Sequence, residues 1–129
     1  LSAANATLDY LRTPGLYDTF ITRSLRLMNG LDKLFRESRL DAYVEGVGPL
    51  FQVWFSAHPI KNYRDAVRYA DGDLFTLWWE EMLSRNVLFH PHYFENMFIS
   101  MAHTDADIDD TLQKAEDSIR SLERRLGRS

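Results

Sequence analysis

The stretch NVLFHPHYFENMFISMAHTDADIDDT, residues 86–111, decides the fold of this chain. Its short apolar run predicts a strand over residues 87–89, and a second strand is predicted over residues 97–101. Pro91 lies between them and predicts an irregular loop. Thr104 then stands at a helix N-cap, with Asp107 at the capping-box position. The stretch therefore predicts two short strands joined by a loop and followed by a long helix.

Upstream of this stretch, hydrophobic periodicity predicts four helices and two strands. The helices are expected over residues 1–11, 16–37, 62–70 and 74–85, the last of them N-capped by Asp73. The strands are expected over residues 42–47 and 50–56, joined by a turn at Gly48 and Pro49. The strand over 50–56 alternates residues that are mostly apolar on both sides, so we expect it to be covered on both faces.

The order of these elements favours an α+β fold: a small, largely antiparallel sheet with helices packed on one face, forming a single domain over residues 1–129. The helix over 74–85 is apolar nearly all round, so it must lie between other layers or face a partner. The last helix carries a stripe that we expect to be buried: Ile108, Leu112, Ala115, Ile119, Leu122 and Leu126.

Composition excludes several function classes. The formal net charge of −4 argues against nucleic-acid binding. The arginines near the end, Arg120, Arg124, Arg125 and Arg128, alternate with acidic residues and predict a salt-bridged helix surface rather than a phosphate site. No cysteine is present, which excludes disulfides and thiol nucleophiles and suits a reducing, cytoplasmic location. No run of residues is apolar and long enough to span a bilayer, and no membrane partner is expected.

Titratable residues offer few candidates for chemistry. His90 and His92 sit two apart with His103 downstream, but no carboxylate completes a metal-ligand set, so hydrogen-bonded or exposed histidines are favoured. The three lysines, Lys33, Lys61 and Lys114, are all expected to be exposed, and no catalytic residue is predicted in this chain. Glu95 is a carboxylate in an apolar run, so it must meet a cation, meet hydrogen-bond donors or face a cleft. A structural ion pair and a functional role both remain open for it.

The segment FENMFISMAHTDADIDDTL, which starts at Phe94, resembles the C-terminal signature of class III pyridoxal-phosphate aminotransferases, above all the glutamate-1-semialdehyde aminomutase group. The matching positions are Phe94, Glu95, Phe98, Ser100, Ala102, His103, Thr104, Asp107, Ile108, Asp109 and Thr111. Weaker similarity extends in order along the whole chain, including the stretch PIKNYRDA that starts at Pro59.

The resemblance implies the C-terminal small domain of a fold-type-I enzyme, a dimer that acts on a small amino-acid substrate. Pyridoxal phosphate would bind the large domain, which this chain lacks, and no cofactor is expected for the chain alone. By resemblance, Glu95 with its neighbours His92 and Phe94 lines the substrate pocket. In the family a serine often stands where His92 is, and a glycine stands where Asn86 is. The isolated chain is therefore expected to shape the substrate side of the site, to lack transaminase activity, and to associate with a second copy or with the large domain. The other hypothesis is a stand-alone, non-catalytic α+β interaction module that docks a partner protein through an apolar surface.

Overall fold

The computed structural model describes residues 1–127, and within them it contains five helices and three strands. The helices are α1 (Ser2–Leu11), α2 (Leu16–Glu37), α3 (Tyr63–Tyr69), α4 (Gly72–Ser84) and α5 (Asp105–Arg125). The strands are β1 (Ala42–Val47), β2 (Leu50–Phe55) and β3 (Met97–Phe98).

The three strands form one antiparallel sheet in the order β1-β2-β3. Gly48 turns the chain between β1 and β2 with a φ of 59°, in the left-handed region that glycine adopts without strain. Cross-strand partners fix which residues share a face, because neighbours in register point the same way. The predicted α+β fold and the largely antiparallel sheet are confirmed.

One face of the sheet lies under α2, α4 and α5, and the core fills the space between these two layers. Phe35 of α2, Phe55 of β2 and Trp78 of α4 meet there, with ring centroids 5.3–5.7 Å apart. Each of the three side chains is at most 2% exposed. Trp78, Phe75 and Met82 are fully buried, so one face of α4 packs into this core, while Thr76, Glu80 and Leu83 on its other side are exposed. The helix is therefore not enclosed on all sides within residues 1–127, although its apolar sequence predicted that it would be enclosed or face a partner.

Helix α5 begins with the predicted capping box. Asp107 N–H donates to Thr104 Oγ1, and Thr104 N–H donates to Asp107 Oδ2 at 2.7 Å. The hydrogen bonds from Thr104 lower the pKa of the Asp107 carboxyl. Arg23 and Arg26 of α2 pair with Asp105 and Asp109, which fastens this helix start to its neighbour. The acidic run at the start of α5 therefore works as a cap and an anchor.

The predicted stripe of α5 is buried at Ile108, Ala115, Ile119 and Leu122 and partly buried at Leu112. Leu126 is 39% exposed and lies beyond the helix end, so its predicted burial is wrong. Arg120 and Arg125 pair with Glu116 and Glu81, as expected of a salt-bridged surface. Arg128 lies outside the described residues.

The predicted strand over residues 87–89 is wrong. Val87 N–H donates to Met82 O at 3.0 Å, and Phe89 O accepts from Trp79 Nε1 at 3.0 Å. Both bonds go to α4, so the segment lies along that helix instead of in the sheet. The strand predicted over 97–101 shortens to Met97–Phe98, because Ser100 O accepts from His103 N–H and turns the chain.

The ends of α4 also differ from the sequence prediction. Asp71, not Asp73, caps its start and accepts from Leu74 N–H at 2.9 Å. Past its end, Asn86 has a φ of 63° and its N–H donates to Leu83 O. This is the left-handed conformation that commonly closes a helix and that glycine or asparagine adopts most easily.

Helix α1 is present as predicted, yet every one of its residues is exposed. Leu8, Tyr10 and Leu11 are 52%, 51% and 37% exposed, and Tyr17 and Ile21 on α2 are also exposed. A helix of this length is only marginally stable in water without tertiary contacts. Its apolar side chains are not covered by residues 1–127.

Candidate functional site

The loop over residues 90–96 crosses the face of the sheet opposite α2 and α5. It is held there by contacts with β2 and α4, and by a ring contact with α3 that is described below. From β2, Gln52 Nε2 donates a short hydrogen bond to Tyr93 O. From α4, Gly72 lies directly under the Tyr93 ring; a Cβ at Gly72 would be only 2.6 Å from Tyr93 Cε1. The absence of a side chain at this helix start therefore allows the loop to sit as close as it does.

Inside the loop, backbone groups bond to the histidine rings. His92 N–H donates to His90 Nδ1 at 3.1 Å, and Phe94 N–H donates to His92 Nδ1 at 3.3 Å. Glu95 N–H donates back to His92 O at 3.0 Å. These local bonds give the loop a defined shape even though it belongs to neither a helix nor a strand.

Aromatic contacts extend from the loop to α3. The Phe94 ring stacks on Tyr63 with centroids 5.4 Å apart and planes 24° apart. The exposed His92 ring stacks on Tyr93 at 5.1 Å and on Phe94 at 5.6 Å. The structure thus brings two of the predicted pocket residues, His92 and Phe94, into one aromatic cluster.

Phe94 also lines an open groove of about 350 Å³ between β1, β2 and α3. Its other lining residues are Glu45, Trp54, Ile60, Lys61, Asn62, Tyr63 and Ala66. Asn62 is held by its capping role, since its side chain accepts from Arg64 N–H and Asp65 N–H. Apolar walls with a few polar groups are typical of a small-molecule subsite.

Glu95, the third predicted pocket residue, is exposed, and its carboxylate makes no ion pair within residues 1–127. The structural ion pair that the sequence left open is therefore not formed among these residues. A charged group at the edge of an aromatic cluster is available to a ligand or to another polypeptide.

Gln52 is the anchor of the loop that sequence reasoning missed. It is only 5% exposed, and while its Nε2 holds the loop, its Oε1 is buried without a hydrogen-bond partner among the described residues. One signal was available: Gln52 is the single polar residue within the strand sequence LFQVWF. A buried amide in such a run must bond to something outside its own strand.

The lysines do not form a cofactor site in this chain. Lys33 pairs with Glu37 at 3.8 Å and Lys114 with Asp110 at 2.6 Å, both on helix surfaces. Lys61 is exposed at the rim of the open groove. Lys114 is half-buried, so the expectation that all three would be exposed is wrong for it. No lysine lies in an enclosed pocket, and so the residues of this chain do not by themselves fit pyridoxal phosphate.

The histidines are engaged by backbone groups. His103 Nδ1 accepts from Ser100 N–H at 2.9 Å, in addition to the bonds at His90 and His92. Within residues 1–127 no three histidine or carboxylate side chains come together as a set that could hold a metal ion. No helix of this part of the chain has the length and apolarity that crossing a bilayer requires.

Comparison with known proteins gives close relatives. No protein-family model matches the chain. Over 122 residues, 95% of this chain, it is 36% identical to the glutamate-1-semialdehyde 2,1-aminomutase of Desulfatibacillum aliphaticivorans. It is 34% identical over the same share to the enzyme of that name from Desulfitobacterium hafniense strain DSM 10664 / DCB-2. The chain spans 28% of the length of each of these relatives.

Solved structures share the fold. The FumI protein of Sphingopyxis sp. MTA144, in its pyridoxal-phosphate internal aldimine form, matches with a TM-score of 0.74 and 25% identity, over 97% of this chain and 27% of that one. A glutamate-1-semialdehyde aminomutase from Pseudomonas aeruginosa PAO1 matches with a TM-score of 0.73 and 22% identity, over 85% of this chain and 24% of that one. Over nearly its whole length the chain is therefore similar to about a quarter of glutamate-1-semialdehyde 2,1-aminomutases, and it shares its fold with part of solved class III pyridoxal-phosphate transaminases.

Proposed function

We propose that this chain is the C-terminal domain of a pyridoxal-phosphate-dependent aminotransferase or 2,1-aminomutase that acts on a small amino acid. The relatives of similar sequence are named aminomutases, and this chain spans 28% of their length. In this proposal the remainder of the enzyme binds the cofactor, which supplies the amino-transfer chemistry. The domain itself contributes the wall of the pocket that meets the substrate.

The observation that carries the assignment is the anchored loop with its unpaired carboxylate. Gln52, Gly72 and Tyr63 hold the loop from three elements, so His92 and Glu95 occupy defined places on either side of Phe94, which lines the groove. A carboxylate on this loop attracts an ammonium group and repels a second carboxylate. Glu95 thus orients a charged substrate, while His92 and Phe94 set the width and polarity of the rim.

We further propose that the complete enzyme is a cytoplasmic homodimer. The uncovered helix α1 supports contact with more polypeptide than this chain contains, because its leucines and tyrosine are exposed. The absence of cysteine agrees with a reducing compartment. The stand-alone interaction module remains the other hypothesis, and the intact mass of the native polypeptide distinguishes the two.

The substitution Glu95→Gln in the full-length enzyme tests the proposal. We expect kcat/KM for the amino-acid substrate to fall by about tenfold or more, since a charge contact worth about 1.4 kcal/mol corresponds to that factor. The melting temperature should change little, because exposed positions without partners shift stability by only about 0.5 kcal/mol.

Glu80→Gln is the matched control, an exposed glutamate on α4 away from the loop. It should leave both kinetics and melting unchanged. A Glu95→Gln enzyme with normal kinetics for every amino-acid substrate tested would remove this residue from the site.

A further inference from the structure

The side chain of Gln52 makes one hydrogen bond within residues 1–127, and that bond goes to the loop over residues 90–96. Its Nε2 donates to Tyr93 O. A carbonyl oxygen can accept only from the nitrogen end of an amide, so this contact decides which way the Gln52 amide is turned. The other end, Oε1, then lies buried without a hydrogen-bond partner among these residues.

The stability of the sheet does not account for an amide at this position. Gln52 is buried in a strand whose neighbouring residues, Phe51 and Val53, are apolar. A buried acceptor without a partner costs free energy that an apolar side chain of the same shape would avoid. What such an apolar side chain would lack is the bond to Tyr93 O. The amide therefore contributes to the position of the loop more than to the packing of the strand.

The peptide group between Tyr93 and Phe94 is held on both of its sides. Its carbonyl oxygen, Tyr93 O, accepts from Gln52, and its N–H, which belongs to Phe94, donates to His92 Nδ1 at 3.3 Å. A peptide group is planar, so these two contacts together fix the orientation of the plane. The Phe94 ring and the backbone that continues to Glu95 both leave from this plane.

Of the two contacts, only the one from Gln52 ties the plane to the rest of the domain. His92 is itself part of the loop and would move with it. Gln52 lies on β2, the central strand, which pairs with β1 on one side and β3 on the other. Its side chain is only 5% exposed, so neighbouring groups restrict its movement. The bond from Gln52 thus refers the position of the loop to the sheet.

We infer that Gln52 is a positioning residue that sets the place of Glu95, two residues beyond the carbonyl that it holds, relative to the amino-acid substrate. The inference rests on the proposed function. Gln52 is buried and bonds to the loop backbone, so it acts through the loop and not by touching the substrate. Without this bond the loop would sample other positions, and a contact between Glu95 and a charged substrate depends on correct placement.

A double-mutant cycle in the full-length enzyme tests the inference. Gln52→Met keeps an unbranched side chain of similar length and removes the donor. We expect it to lower kcat/KM for the amino-acid substrate by about tenfold, as Glu95→Gln does. In the Glu95→Gln background the same substitution should change kcat/KM by less than about twofold, because the contact that it positions is already lost.

Stability separates positioning from a structural role. The free energy of unfolding should stay the same or rise in Gln52→Met, since a buried acceptor without a partner is removed. Gln113→Met is the matched control, because Gln113 is an exposed glutamine on α5. It should change neither kcat/KM nor stability. Hydrogen exchange adds a measurement that needs no activity: the N–H groups of Phe94 and Glu95 should exchange faster in Gln52→Met, while those of α5 keep their rates.

Equal losses of kcat/KM from Gln52→Met in both backgrounds would overturn the inference, because Gln52 would then act independently of Glu95. A normal kcat/KM per folded molecule in Gln52→Met, with or without a loss of stability, would overturn it as well. So would unchanged exchange at Phe94 and Glu95. A full-length protein that lacks amino-transfer activity, but whose loop exchanges faster in Gln52→Met, would overturn the proposed function and keep Gln52 as the residue that positions the loop.

Discussion

On one face of the sheet, Phe51, Val53 and Phe55 are at most 4% exposed beneath the helices. On the other face, their strand neighbours Leu50, Gln52 and Trp54 meet open surface, a loop and a groove. One face of β2 is therefore fully buried in the core, whereas its other face is only partly covered. The helical side makes the domain stable, and the second side carries the loop with His92, Phe94 and Glu95.

The largest expected effect comes from breaking the helical side. Trp78→Ala should lower the free energy of unfolding by about 3–5 kcal/mol, because a fully buried ring in contact with Phe35 and Phe55 leaves a cavity. Trp78→Phe should cost much less, since it keeps most of the packing and removes an indole N–H that is buried without a partner in residues 1–127. Chemical denaturation of the two variants measures the difference. If Trp78→Phe lowered the free energy of unfolding as much as Trp78→Ala, then removing the indole N–H would bring no benefit. That result would show that the N–H is hydrogen-bonded in solution.

A smaller effect is expected from acid, again on the helical side. Partial burial raises the pKa of Glu81, but hydrogen bonds from Arg85 and Arg125 outweigh it and hold that pKa below its ordinary value of 4.5. A carboxyl whose pKa is lower in the folded state adds stability above the unfolded-state pKa, and this stability is lost as the pH falls through the folded-state pKa. Unfolding free energy should therefore drop below about pH 4.5.

The substitution Glu81→Gln isolates this contribution. It should lower stability at neutral pH by about 1–2 kcal/mol, since charge-assisted hydrogen bonds between α4 and α5 are lost. It should also flatten the acid dependence, whereas Glu80→Gln should retain it. Denaturation curves between neutral pH and the acid limb measure both variants, and an unchanged slope in Glu81→Gln would contradict the role of this carboxylate.

The smallest effect is expected where the helical side passes into the second side, at Asn86. Asn86→Gly should raise stability by a few tenths of a kcal/mol, because glycine adopts the left-handed conformation with less strain. Asn86→Ala should lower it by about 1 kcal/mol, since alanine resists positive φ. Thermal melts of the two variants show whether each substitution raises or lowers stability. A stabilising Asn86→Ala would show that the left-handed turn is not required.

The helical side could be predicted from the sequence because its signals are local. The period of Leu27, Leu31 and Phe35 predicted α2 with its observed bounds, and Thr104 with Asp107 predicted the start of α5. Residues 87–89 show the limit of such signals. Their apolar run is typical of a strand, yet their hydrogen-bond partners lie on α4, and a pattern of apolar residues carries no information about that choice.

The second side was harder to predict because its contacts join distant parts of the chain. Resemblance to a family pointed to His92, Phe94 and Glu95, while periodicity alone left Glu95 open. The anchors of their loop were missed, since Gln52 and Tyr93 are 41 positions apart and no spacing rule connects them. The cap of α4 was missed for the same reason, since it depends on a contact between distant residues. With Asp71 rather than Asp73 as the cap, α4 begins at Gly72, which lies under the Tyr93 ring.

Gly72 sets how closely the loop over residues 90–96 approaches α4. A Cβ there would lie 2.6 Å from Tyr93 Cε1, so any larger residue must displace the Tyr93 ring or the loop that carries it. In a laboratory selection on the enzyme proposed above, this helix start would act as an adjustable spacer beneath the loop. Libraries restricted to His92, Phe94 and Glu95 would never sample it.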